Sequence, residues 1–83
     1  MTVPAPWNPA RIRKRTVTVL GHVTSVSLEE AFWDALKQIA AARGLSMNGL
    51  VSEVDASRSG NLSSALRVFV LSELLTGTLS VPE

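Results

Sequence analysis

The stretch TSVSLEEAFWDAL, Thr24 to Leu36, changes its hydrophobic period without an intervening loop. Val26 and Leu28 alternate with Ser25 and Ser27, as in a half-buried strand, and Phe32 and Leu36 then stand one helical turn apart. A strand that runs straight into a helix must lay that helix back across one of its own faces. A lone short strand has no hydrogen-bonding partner in water, so a second strand has to come from the same chain or from another copy. For a chain of 83 residues, few architectures satisfy both conditions.

The length allows one domain with a modest core. There is no Cys, which excludes disulfides and thiolate metal sites, and His22 is the only His, which excludes a multi-histidine site. Oligomerisation is the remaining staple for so small a fold. Apolar residues make up 46% of the chain. The mean hydropathy is +0.23, which predicts a surface buried against a second copy. The first ten residues, MTVPAPWNPA, carry Pro4, Pro6 and Pro9 and lack the apolar centre of a signal peptide. No run approaches the roughly 18 apolar residues of a membrane span. The expectation is a cytoplasmic protein that does not meet a membrane.

Net charge is +1, but it is unevenly placed. Residues 1–28 hold Arg11, Arg13, Lys14 and Arg15 and no acid, whereas residues 29–83 are acidic on balance. A basic front on an acidic body suggests a polyanion-facing end.

Residues 1–10 read as a disordered arm, 11–76 as the folded domain and 77–83 as a tail. Upstream of the opening stretch, RTVTVLGHVTSVSL is rich in Val and Thr and reads as extended. The chain either runs on here as one kinked strand or folds back at Gly21-His22 in a type II′ hairpin. The hairpin would pair Val19 with Thr24 and Val17 with Val26. One face would then carry Val17, Val19, Val26 and Leu28, and the other Thr16, Thr18, Ser25 and Ser27. A first helix is expected from Leu28 to Arg43, with Phe32, Ala35, Leu36 and Ile39 as its apolar stripe. Ser27 and Glu30 suit a capping box at its start, and Gly44 suits its end. Trp33 lies on the polar side, among Glu29, Glu30, Asp34 and Lys37, and is expected to pack on a third helix or a partner. Ser46 is the natural cap of a second helix, which runs to about Ala56. After the turn SRSGN, a third helix spans Leu62 to Leu75 and is apolar most of the way round.

The chain carries no nucleophile elbow and no phosphate-cradling glycine motif. His22 sits in a proposed turn, and the carboxylates Glu29, Glu30 and Asp34 suit a solvated helix face. No enzyme activity, cofactor or metal is expected.

The strand VTSVSL, the helical spacing Leu28, Phe32, Leu36, Ile39, Ala40 and the turn RGLSMNGLV resemble the ribbon-helix-helix superfamily of MetJ/Arc-type bacterial DNA-binding proteins. In that turn Gly44, Ser46, Asn48 and Val51 match the superfamily's pattern. The whole chain is similar to a short uncharacterised bacterial branch of it, through GHVTSVSLE…FW and NLSSALRVFVL.

The resemblance implies a mainly α protein with a short β ribbon (α+β), a ribbon-helix-helix plus a third C-terminal helix, folded as an intertwined homodimer. Its dimer core would be Val26, Leu28, Phe32, Leu36, Ile39, Leu50, Val51 and Val54. It further implies a sequence-specific transcriptional regulator, such as a repressor, whose ribbon enters the major groove of double-stranded DNA. Val23, Ser25 and Ser27 would touch bases. Arg11, Arg13, Lys14, Arg15, His22, Ser46 and Asn48 would touch phosphates. Ser27, Ser46 and Asn48 also suit purely local roles at helix starts. The alternative reading is a protein-interaction module, antitoxin-like or an adaptor. It would use the same dimer core, with the ribbon face or the third helix binding a protein partner.

Overall fold

In the computed structural model, residues 8–57 and 60–77 are described. The element order is β1 (Ile12–Val19), β2 (His22–Glu29), α1 (Glu30–Arg43), α2 (Met47–Ser57) and α3 (Leu62–Leu75). The strands form one two-stranded antiparallel sheet, so the chain folds back as a hairpin. The second strand is therefore supplied from within the same chain.

The turn is Leu20-Gly21, not Gly21-His22. Both residues have positive φ, 51° and 78°, which makes the two-residue loop whose twist suits the flanking strands. Val19 pairs with His22, Val17 with Thr24, Arg15 with Val26 and Arg13 with Leu28. This register differs from the expected one by two residues. Because side chains alternate with a period of two, such a shift leaves each residue on its expected face. Val17, Val19, Val26 and Leu28 are buried, while Thr16, Thr18, Ser25 and Ser27 are exposed.

The strand runs directly into α1 because the segment leading into β1 completes the helix start. Glu29 is the N-cap residue but makes no side-chain cap. Instead, the Glu30 amide donates to the Arg11 carbonyl at 2.8 Å and the Ala31 amide to that of Pro9 at 3.1 Å. Ser27 is not the cap: it stands in β2 opposite Lys14. The first seven residues of the expected arm lie outside the described residues. Residues 8–10 form a turn in which the Asn8 side chain accepts from the Ala10 amide at 3.0 Å. Of the expected tail, residues 78–83 also lie outside the described residues.

The buried stripe of α1 is rotated from the expected one. Trp33, Leu36, Ile39 and Ala40 are buried, and Phe32 and Ala35 are only partly so. Trp33 is 2% exposed and donates its indole N–H to the Arg13 carbonyl at 2.9 Å, which fastens α1 to β1. Its polar neighbours in sequence conceal this, because an indole can bury its body once its N–H has an acceptor.

The remaining helix ends follow the sequence closely. Gly44 takes the left-handed conformation (φ 67°), and the Leu45 amide reaches the Ala40 carbonyl at 2.9 Å. Ser46 caps α2 by accepting the Gly49 amide at 3.0 Å. A Cβ at position 49 would stand 3.2 Å from Ser46 Oγ, so Gly49 keeps the cap uncrowded. Asn61 caps α3 by accepting the Ser64 amide at 2.7 Å.

The core joins the inner face of the hairpin to Trp33, Leu36 and Ile39 of α1, Leu50, Val51 and Val54 of α2, and Leu66 and Val70 of α3. Of the residues expected in a dimer core, all but Phe32 are already buried within one chain. β1 gives β2 a neighbouring strand within the chain, and α3 adds Leu66 and Val70 to the core.

Candidate nucleic-acid interface

Strand alternation divides the basic segment RIRKR. Arg13 and Arg15 stand opposite Leu28 and Val26, on the side that faces the helices, whereas Lys14 stands opposite Ser27 on the outer side. Both arginines are engaged within the chain. Arg13 Nε lies 2.9 Å from Glu30 Oε1, and Glu30 is buried. The Arg15 guanidinium sits over the Trp33 ring, 5.6 Å from its centroid. No ion pair among the described residues engages Arg11 or Lys14, and both are exposed.

The outer face of the hairpin is a ladder of small polar side chains. Lys14 pairs with Ser27, Thr16 with Ser25 and Thr18 with Val23, and all six are exposed. The expected base contacts Val23, Ser25 and Ser27 therefore share one surface. Thr16 and Thr18, for which the resemblance implies no role, share it with them. Their signal in the sequence is the hairpin pattern itself, because any antiparallel pairing in this phase puts Thr16, Thr18, Ser25 and Ser27 on one face.

Glu29, opposite Ile12, is the last β2 residue in the phase of this face and carries a carboxylate. Arg67 from α3 holds it, with Nε at 3.0 Å and Nη2 at 2.9 Å from Oε1. A hydrogen bond with its own backbone, and then the Arg67 bond, hold the Glu29 carboxyl below its ordinary pKa. The negative charge at this end of the ladder thus has a cation beside it.

The N-terminus of α2 flanks the outer edge of β1. Asn48 Oδ1 accepts the Thr18 amide at 3.2 Å, covering a backbone donor that the hairpin leaves open. Ser46 Oγ is taken by the Gly49 amide. Both expected phosphate-binding side chains thus have structural work. The amides of Met47 and Asn48, ahead of the first capped one, make no hydrogen bond among the described residues. His22 is opposite Val19 and so belongs to the inner phase of the hairpin tip, away from the Ser and Thr ladder. It lines a shallow pocket with Asp55, Asn61 and Leu62.

Among the described residues, no three His, Cys, Asp or Glu side chains gather to hold a metal ion. No described helix is long and apolar enough to cross a membrane.

A two-stranded ribbon with a polar outer face, a helix laid under it and a second helix starting beside its edge make a ribbon-helix-helix arrangement. The model of the ribbon-helix-helix domain family matches residues 12–74, and this chain belongs to that family. Ribbon-helix-helix domains are in general those of DNA-binding regulators, typically without enzyme activity. The solved structure of an uncharacterized protein from Bordetella pertussis Tohama I is similar, with 29% sequence identity and a TM-score of 0.73. The similarity covers 84% of this chain and 61% of that one. No curated protein matches the sequence.

Proposed function

We propose that this protein is a transcriptional regulator that binds duplex DNA through the outer face of the β1–β2 hairpin, acting as a homodimer. One observation carries the reading. The exposed face of the hairpin presents Lys14, Thr16, Thr18, Val23, Ser25 and Ser27 together, with no carboxylate among them.

The dimensions are compatible with the major groove. Two strands lie about 4.8 Å apart, and a groove about 12 Å wide admits them. Hydroxyls can donate to or accept from several base edges, and Val23 offers methyls to thymine. Discrimination by this set is modest base by base, so specificity comes from the ladder as a whole. Lys14 faces the phosphates flanking the groove, and the α2 N-terminus offers a further phosphate its Met47 and Asn48 amides. Each chain brings a whole ribbon, so two copies present two ribbons to half-sites about 34 Å apart along one DNA face.

The test is anisotropy titration of labelled duplex DNA across salt concentrations. Affinity should fall steeply with salt. Lys14→Ala should shallow the log–log slope by ~0.9 for each phosphate that is no longer neutralised. Ser25→Ala combined with Ser27→Ala should change base preference more than the salt slope. If no duplex binds even at low salt, the DNA reading fails and the interaction-module reading stands in its place. That second reading is favoured by the exposed apolar side chains of α3.

A further inference from the structure

The third helix reaches the end of the ladder with a charged side chain. Arg67 of α3 meets Glu29 of β2 through Nε at 3.0 Å and Nη2 at 2.9 Å, both on Oε1. Glu29 is the one carboxylate in the outward phase of the two strands. Every other residue in that phase is apolar, hydroxylated or, at Lys14, basic. Arg67 is itself held in place, its guanidinium 5.8 Å from the centroid of the Phe32 ring. That gives Phe32, which is only partly buried, a task outside the core. The ion pair keeps 35% of the Arg67 side chain and 30% of the Glu29 side chain exposed. A pair so open to solvent contributes little to folding. Its larger effect is on the charge that the end of the ladder presents.

We propose that Arg67 is a positioning residue for DNA binding: it holds Glu29 toward α3 and cancels its charge, so that the Ile12 end of the ribbon can approach phosphates. The proposal rests on the hairpin face being the DNA-binding surface. Lys14 is the one base of the two strands in the outward phase, and it stands opposite Ser27, the next outward residue from Glu29. Without Arg67, the Glu29 carboxylate offsets that single lysine. Duplex DNA carries a charge about every 1.7 Å of its axis, so an uncovered carboxylate at this place faces several phosphates at once. It acts on those within the Debye length, about 10 Å at 0.1 M salt. Arg67 removes this repulsion without entering the groove, because its Nε and Nη2 are already committed to Glu29. The seating of α3 on β2 thereby sets how strongly the ribbon draws DNA.

Anisotropy titration of the full chain on a labelled mixed-sequence duplex tests it, with thermal melts of every variant alongside. Arg67→Gln should weaken binding by about five-fold at low salt, and the gap should narrow as salt rises. Adding Glu29→Gln to Arg67→Gln should bring affinity back to that of the wild type, because no carboxylate is left to cover. Glu53→Gln makes the same change of net charge on an exposed residue of α2 outside this face, and should not rescue Arg67→Gln. An Arg67→Gln variant that binds as the wild type does would overturn the proposal. So would a double variant as weak as Arg67→Gln alone, because Arg67 would then grip a phosphate itself or merely seat α3. Equal rescue by Glu53→Gln would also overturn it, since net charge alone would be at work. In each of these outcomes the wild type binds DNA and the hairpin reading is untouched. A wild type that binds no duplex at low salt ends both.

Discussion

Trp33 ties two elements together with one side chain. Its ring is enclosed, its N–H reaches the Arg13 carbonyl, and Arg15 covers the ring from the strand above. Trp33→Ala should lower stability by ~3–5 kcal/mol in a denaturant titration. Trp33→Phe keeps most of the packing but leaves the strand carbonyl unpaired, and should cost ~1–3 kcal/mol. Glu29 contributes to the acid response. Its folded carboxyl titrates below the unfolded one, so the unfolded chain binds more protons in that window. Its contribution is complete above the unfolded value and is lost as pH falls through the folded value. Melting temperatures should therefore decline on acidification, and Glu29→Gln should flatten part of that decline. At this scale the sequence is only partly legible. Ser46 and Gly44 are readable because their roles are local. Trp33 is not, because its acceptor lies 20 residues away on another element.

Among the elements, the hairpin shows where pattern reading stops. Alternating Val, Thr and Ser determines which side chains face inward, but a shift of two residues preserves that alternation and so cannot be excluded from it. The turn decides the register, and it holds Leu20 at a positive φ that costs a residue with a Cβ about 1–2 kcal/mol. Leu20→Asn should therefore raise stability by ~1 kcal/mol, because Asn-Gly suits this turn. Gly21→Ala should lower it by ~1 kcal/mol. Both are measurable by thermal melting. The start of α1 is hidden for a related reason. The sequence offers Ser27 and Glu30 as a capping box, but the strand continues through Glu29, and the first helical amides find the carbonyls of Arg11 and Pro9. Backbone acceptors leave no residue-type signal. The end of α1 and the starts of α2 and α3 are legible because a glycine or a side chain makes them.

For the whole molecule, β1 and α3 change what one chain can do alone. β1 gives the ribbon its second strand, and α3 gives the core Leu66 and Val70. The residues implied as a shared dimer core are thereby enclosed in a single chain, apart from the partly buried Phe32. The basic segment, which suggested a polyanion partner, is divided into two internally engaged arginines, Arg13 and Arg15, and two exposed bases, Arg11 and Lys14, that no ion pair among the described residues engages. The surface proposed for DNA is a ladder of hydroxyls with Lys14 toward one end. Amide chemical-shift mapping during titration with duplex DNA tests this most directly. The largest salt-sensitive shifts should fall on Lys14, Thr16, Thr18, Val23, Ser25 and Ser27, with smaller ones at Met47 and Asn48. Shifts confined to α3, or none on the hairpin at low salt, would contradict the hairpin's role as the DNA-facing ribbon.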